Sequence, residues 1–419
     1  MHIAMVSEHA SPLAGPGGPD AGGQNVHVRE LSRALAAAGH RVRVHTRRDD
    51  PDLPDVVDMD GVEVHHVTAG PARPLPKDRL VGHVPQLAEE LQRAWRADPP
   101  DLAHAHFWMS GLAASAAVRG LDVPLVQTFH ALGHVKRRHQ GEQDTSPNGR
   151  TPAEQVITRR ADRIIATCED EVFELLRLGG SRRHISVVPC GVDVDTFTPH
   201  GPALARGDRP RVVTVGRLVP RKGVDDVIAA LARVPEAELL VGGGPPPGQD
   251  PTTDPELVRL RRVAARAGVA DRVRFLGAVA RADVPALLRS ADVVVCAPWY
   301  EPFGMVPLEA MACGRPVVGT AVGGIRDTVV DGVTGVHVPP RRPRALAQAL
   351  RELLGSRSAR DSFGIAGRDR ALARYSWPRI ATATEAVYRD VLVGQGAHVD
   401  RGLDHEADLA GAGADGWDR

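Results

Sequence analysis

With 419 residues, 42% of them hydrophobic, the chain is too long for one core, since single cores seldom grow past ~250–300 residues. Lysine plus arginine and aspartate plus glutamate both total 52, so no net field points to nucleic acid or an anionic membrane. No apolar run approaches the ~20 residues that a membrane span needs, and a strand begins at His2; the expectation is a soluble, cytoplasmic protein without a leader.

A Pro- and Gly-rich loop over residues 8–22 follows the first strand. A helix over 24–38 then carries Val28, Leu31 and Leu35 on one face and stops at Gly39. Strands are predicted at 41–45 and 62–67, a helix at 87–96, and core strands at 102–106 and 125–129 around a small-residue helix at 111–118. Short strands at 164–166 and 185–188 complete a βα series, which implies an α/β fold with a doubly wound parallel sheet. Residues 199–210 lack periodicity and read as a linker. A second series follows, with strands at 211–215, 238–241, 273–276, 293–296, 316–318 and 335–338 and helices between them. Two such halves suggest a hinged cleft. The expected division is 1–198, 199–370, a helical segment 371–393 and a Gly/Ala/Asp-rich tail 394–419 without order. The four cysteines, Cys168, Cys190, Cys296 and Cys313, show no metal-ligand spacing and read as buried thiols.

The stretch 299–319, WYEPFGMVPLEAMACGRPVVG, carries two glutamates eight residues apart across a loop-to-helix junction. Glu301 falls on the loop beyond a strand's carboxyl end, and Glu309 about two turns further on, at the rim where open α/β sheets bind ligands. The N–H groups of Phe303, Gly304, Met305 and Val306 open that helix and form a seat for phosphate. One carboxylate could hold sugar hydroxyls and the other a ribose diol; the competing reading is a pair of solvated surface charges. A second motif, Gly216-Arg217-Leu218-Val219-Pro220-Arg221-Lys222-Gly223, follows a strand directly. Arg217 and Lys222 suit a diphosphate and the negative charge that develops on a leaving nucleotide. The pair Gly22-Gly23 opens a helix and lets backbone approach a phosphate or sugar oxygen, although the dinucleotide Gly-x-Gly-x-x-Gly fingerprint is absent. Gly242-Gly243-Gly244 reads as a loop near the nucleotide. His130 stands at a strand end, and the basic run Lys136-Arg137-Arg138-His139 offers an anion site or a solvated loop. No metal-ligand cluster emerges at Asp49-Asp50, Asp225-Asp226 or the histidine pairs, so neither metal nor other cofactor is expected.

The Glu301-x7-Glu309 block, its PFG loop and the following Gly323-Gly324-Ile325-Arg326-Asp327-Thr328 closely resemble the signature of retaining glycosyltransferases of family GT4. The resemblance runs from Ile3 to about Leu392, and its N-terminal motifs mark a subgroup near sucrose-phosphate synthases and inositol-phosphate glycosyltransferases. It implies the GT-B architecture, two Rossmann-like domains facing a cleft, with the segment 371–392 crossing back to the first. It implies that Arg217 and Lys222 bind the diphosphate, Glu301 the donor-sugar hydroxyls and Glu309 the ribose. His130 would contact a sugar hydroxyl and turn its carbonyl to the anomeric region. Residues near Phe275 would face the base; a UDP-sugar is the leading expectation, with GDP- and ADP-sugars as alternatives. Asn25, Lys77 and Arg150 match acceptor-binding positions, while Phe107 and Ala131 stand where that subgroup has tyrosine and threonine, so two hydroxyl donors are missing. The implied reaction is a metal-independent, same-face transfer to a small polar acceptor: a sugar, a cyclitol or their phosphate. A homodimer is compatible with it. A nucleotide-sugar 2-epimerase and a non-catalytic nucleotide-sugar-binding protein are the alternatives.

Overall fold

The computed structural model describes residues 1–14, 22–141, 144–245 and 248–396. The tail from 397 lies outside the described residues, as do Ala21, Pro246 and Pro247. Contacts group the chain into two units, one drawn from residues 1–14, 22–188 and 380–396, the other from 189–379.

The first unit begins with β1 (His2–Val6), α1 (Gly23–Ala37), β2 (Arg41–Arg47), β3 (Val56–Met59), β4 (Val62–Val67) and α2 (Val84–Ala97). It continues through β5 (Leu102–His106), α3 (Trp108–Ala117), β6 (Leu125–Thr128), α4 (Gly133–Gln140), α5 (Arg150–Arg160), β7 (Arg163–Ala166), α6 (Glu169–Arg177) and β8 (Ile185–Val187). The strands order as β3-β4-β2-β1-β5-β6-β7-β8. All neighbours are parallel except β3, which pairs antiparallel with β4 and extends the expected parallel sheet by one edge strand. α3 starts at Trp108, three residues before the expected 111, because Phe107 turns the chain with φ of 82° and launches the helix at once. Between β1 and β5 the strand order reverses, so the loops leaving those two strands diverge and open a crevice.

The second unit comprises β9 (Arg211–Val215), α7 (Val224–Leu231), β10 (Glu238–Gly242), α8 (Pro255–Arg266), β11 (Val273–Phe275), α9 (Val284–Arg289) and β12 (Val293–Cys296). It ends with α10 (Met305–Ala312), β13 (Val317–Thr320), α11 (Gly324–Thr328), β14 (Gly335–Val338), α12 (Pro343–Gly355) and α13 (Arg357–Arg374). α14 (Trp377–Gly396) starts here, and its residues from Ile380 on group with the first unit. The order β11-β10-β9-β12-β13-β14 is wholly parallel. Successive strand side chains point to opposite faces. Val293 and Val295 therefore join the core under α7, α8 and α12, with Ile228, Leu260 and Leu350. Val294 and Cys296 join the other, under α9 and α10, with Leu288, Leu308 and Met311. An unbroken apolar run is what a strand covered on both faces requires.

The stretch 199–210 is fastened to this unit. Arg289 Nε donates to the Pro202 carbonyl at 2.6 Å, Leu204 N–H to Ala286 at 3.2 Å, and Arg206 pairs with Asp292. All four cysteines are buried and free.

Candidate functional site

In the second unit the order reverses between β9 and β12, and the loops leaving those strands carry Lys222 and Glu301. The topology alone thus brings residues 79 apart in sequence to one crevice. Lys222 Nζ donates to Glu301 Oε2, with 23% and 13% of the two side chains exposed. Trp299 N–H to the Arg221 carbonyl, 2.8 Å, ties the loops together at the backbone. Burial raises the Glu301 carboxyl, but Lys222 and Arg221, a hydrogen bond from Lys222 and one from the Phe303 backbone outweigh it and hold the group below the usual carboxylate range. It is a charged carboxylate at neutral pH. Arg217, on the same loop as Lys222, is exposed.

The Glu301 loop is shaped by glycines that follow the next strand, β13. At Gly323, φ of 45°, a Cβ would run into the Glu301 carbonyl oxygen, and at Gly324 it would lie 2.6 Å from the Phe303 oxygen. Gly324 N–H donates to the Glu301 carbonyl at 2.8 Å. Gly304 (φ 71°) turns the chain into α10, whose first-turn N–H groups have no partner within the helix. Similarly, the Gly243 N–H bonds the Gly277 carbonyl at 2.8 Å, and a Cβ there would strike the Gly216 carbonyl. The glycine-rich loop therefore backs directly onto the loop that leads to Arg217.

Glu309 lies inside α10, 4% exposed by side chain, and pairs with Arg281 from the loop after β11. Burial raises its carboxyl above the usual range, and the charge and hydrogen bond of Arg281 offset this only in part. Arg281 also stands over the Phe197 ring at 4.5 Å. Sequence reading missed Arg281, which sits in no motif and reaches Glu309 only through the fold. Phe275 ends β11 and packs partly buried against the core beneath α7 and α8.

In the first unit, parallel register sets His106 beside Thr128, so the segments after β5 and β6 leave the sheet together. Both turn sharply, Phe107 with φ of 82° and His130 with φ of 61°, a region that non-glycine residues seldom occupy. His106 Nδ1 and His130 Nε2 are 2.9 Å apart with stacked rings, and His27 meets His130 edge-on at 5.2 Å. His104 bridges Tyr388 Oη (2.7 Å) and Thr128 Oγ1 (2.9 Å). Burial, reinforced by neighbouring imidazoles, drives His106 and His130 well below 6.5, takes His104 to about 3, and by itself takes His27 to about 4. The cluster is neutral at physiological pH. Among the described residues no group of three or more His, Cys, Asp or Glu side chains could hold a metal ion.

The remaining expected residues surround Phe107. Lys77 Nζ stands 3.8 Å above its ring and Arg150 Cζ 5.0 Å from it. Arg150 is 5% exposed by side chain and directs its guanidinium inward, to Glu154 (2.8 Å), Ser146 Oγ (3.2 Å) and the Ala131 carbonyl (2.6 Å). Asn25 is buried; its Oδ1 accepts from Gly22 N–H (3.1 Å) and its Nδ2 donates to the Ser11 carbonyl (3.0 Å), fixing Gly22 and Gly23 at the start of α1. The basic run is answered as well: Lys136 pairs with Asp144 at 2.8 Å, and Arg138 grips Glu174 through both terminal nitrogens at 2.6 and 3.0 Å. Arg138 foremost holds Glu174 at about 2. Sequence reading gave no sign of Glu154, Glu174 or Ser110; the last donates to Glu8 from across the crevice between β1 and β5.

The chain matches two family descriptions, Glycosyltransferase Family 4 over residues 21–196 and Glycosyl transferases group 1 over residues 199–370. A D-inositol 3-phosphate glycosyltransferase of Xylanimonas cellulosilytica is 39% identical, over 92% of this chain and 96% of that protein. Its counterpart in Kineococcus radiotolerans is 38% identical, over 96% and 98%. Among solved structures, sucrose-phosphate synthase from Thermosynechococcus elongatus superposes with a TM-score of 0.85 at 33% identity, over 94% of this chain and 99% of that one. On the strength of relatives matched over nearly their whole length and of two wound parallel sheets, the chain belongs to glycosyltransferase family 4 and is a glycosyltransferase of GT-B fold.

Proposed function

We propose that the enzyme moves a glycosyl group from a nucleoside diphosphate sugar, bound by the second unit, to a hydroxyl of a small polyhydroxylated acceptor bound by the first, with retention at the anomeric carbon. The observation that carries this reading is the Lys222–Glu301 pair at the order reversal of the second sheet, beside the first turn of α10. The ammonium and the charged carboxylate hold each other in place until a donor arrives. Lys222 then turns to the diphosphate, Arg217 joins it, and the first-turn N–H groups of α10 take a phosphate oxygen. As the glycosidic bond lengthens, negative charge grows on the leaving diphosphate, and cations already in position stabilise it more than they stabilise bound substrate. Glu301 accepts hydrogen bonds from donor-sugar hydroxyls, while Glu309 in its pair with Arg281 faces the ribose. The departing phosphate helps take the acceptor proton, and no metal is called upon.

His130, neutral and held by His106, contacts a donor-sugar hydroxyl and offers its carbonyl to the reacting carbon. Phe107 and Lys77 form the acceptor wall, with Arg150 supporting that wall from within. The relatives' names favour a cyclitol phosphate as acceptor, and a sugar phosphate is the second candidate.

Thermal shifts with UDP-, GDP- and ADP-sugars, on the wild type and Lys222→Ala, test the donor half. One nucleotide sugar should stabilise the wild type and do so far less in the variant. Incubation with inositol, inositol monophosphate and hexose monophosphates tests the acceptor half, and proton NMR of the product anomer tests retention. Epimerisation of the donor without acceptor, or an inverted product, would overturn the reading.

A further inference from the structure

The carboxyl edge of the second sheet is not its only polar feature. At the opposite edge, where β12 and β13 begin, the amino end of α13 and the turn from α10 into β13 enclose a half-open pocket of about 320 Å³. Three guanidinium groups line it, Arg315, Arg357 and Arg360, with the carboxylates Asp292 and Asp361.

Those carboxylates are already answered. Asp292 Oδ2 accepts the Arg211 N–H at 2.7 Å and pairs with Arg206. Asp361 lies 3.6 Å from Arg357, both well exposed. Arg360 Nη1 donates to the carbonyls of Leu353 and Leu354 at the end of α12, at 2.7 and 2.6 Å.

Arg315 is different. Its Nε is buried without a hydrogen-bond partner among the described residues. Burial works against its charge, Asp292 is one of two groups that favour it, and Arg206 and Arg289 oppose it. A donor nitrogen left buried and unpaired is costly, and because the Arg315 side chain is only partly buried, an oxyanion in the pocket can reach its guanidinium and offset that cost. Guanidinium groups match the geometry of phosphate oxygens, and the volume leaves room for more than the phosphate itself.

We infer that this pocket is a second anion site, which binds a phosphate group between Arg315, Arg357 and Arg360, away from the donor loops. Free phosphate and the phosphate of a small metabolite share that chemistry.

Isothermal titration of the full chain with inorganic phosphate at low salt tests the inference, with hexose monophosphate as a parallel arm. Wild type should bind phosphate, Arg315→Met should weaken binding at least tenfold, and Arg357→Ala by a few-fold. Lys222→Ala should leave the Arg315-dependent part of the binding unchanged, which separates this pocket from the donor loops. Binding of the hexose phosphate tenfold tighter than phosphate would identify a metabolite as the ligand, and equal binding would identify phosphate itself. In the wild type, the Arg315 Nε–H resonance should shift during the titration, a readout that needs no variant. Phosphate binding equal in wild type and Arg315→Met, or abolished by Lys222→Ala alone, would overturn the site.

Discussion

Lys222 and Glu301 form a largely buried contact, and Lys222 helps hold the Glu301 carboxyl below its usual range. Lys222→Ala should lower kcat by roughly 10²–10³ if the ammonium stabilises the leaving diphosphate, a magnitude typical for loss of one preorganised donor. Near-normal turnover in a steady-state assay would sink that role. The double variant Lys222→Ala/Glu301→Gln should cost less than the sum of the singles, because the residues are in contact. Arg150 presents the contrasting case. Burial lifts the Glu154 carboxyl above the usual range, and Arg150, with the Gly133 N–H, offsets this in part. Arg150→Ala strands that carboxyl in the interior and should cost about 3–5 kcal/mol of stability. Denaturant unfolding would show it, whereas Lys77→Ala should leave the midpoint nearly unchanged and raise the acceptor KM. An Arg150→Ala protein of wild-type stability with a raised KM would instead make Arg150 a direct acceptor contact.

The Glu301 loop holds its shape because backbone approaches backbone. Gly323 and Gly332 both have positive φ, 45° and 71°, so alanine strains either by about 1–2 kcal/mol. Only at Gly323 would the added Cβ also meet the Glu301 carbonyl; at Gly332 nothing lies within 4 Å. Gly323→Ala should therefore reduce both stability and activity, and Gly332→Ala stability alone. Equal activity in the two variants, measured at saturating donor, would show that the loop does not depend on this approach. Much of this element was legible in the sequence. Val293 to Cys296 announce a doubly covered strand, Pro307 falls in the first turn of the following helix, and GGIRDT follows at the next strand. Arg281 was not legible, because it meets Glu309 from another element, and no local period or spacing records such a meeting; the Arg150–Glu154 spacing is helical, but its burial is not written locally.

At the scale of the whole chain the two units differ in histidine content. Fourteen of the 18 histidines lie in residues 1–188, and only His200 and His337 fall in 189–379. His27, His45 and His104 are pushed from 6.5 to about 4, 3 and 3, first of all by burial. Their folded values lie below the unfolded one, so the folded chain refuses protons that the unfolded chain accepts. Their contribution is complete above about pH 6.5 and is lost as pH falls toward 4 and then 3, each group adding up to about 1.4 kcal/mol per pH unit. Calorimetry from pH 7 to pH 5 should show the transition of the first unit moving down while that of the second moves little. A common shift of both would mean that the histidine cluster does not govern acid sensitivity.

The two βα series, the runs of parallel strands, the loops that carry Arg217, Lys222 and Glu301 and the helix that carries Glu309 follow from local sequence, because strand runs, helix stops and glycine turns are written in neighbouring residues. Local sequence also places His130 at a strand end. Which polar groups meet is settled by the tertiary structure: Lys222 with Glu301, Arg281 with Glu309, Arg150 with Glu154, and the neutral imidazole of His106 with that of His130. Three of these four pairs join residues more than 20 apart, brought together by strand order or register rather than by local sequence. The Arg150–Glu154 pair spans one helical turn and could have been read; that both groups lie buried could not. Burial, which shifts the carboxyl and imidazole groups among them, depends on what the rest of the fold lays over each side chain.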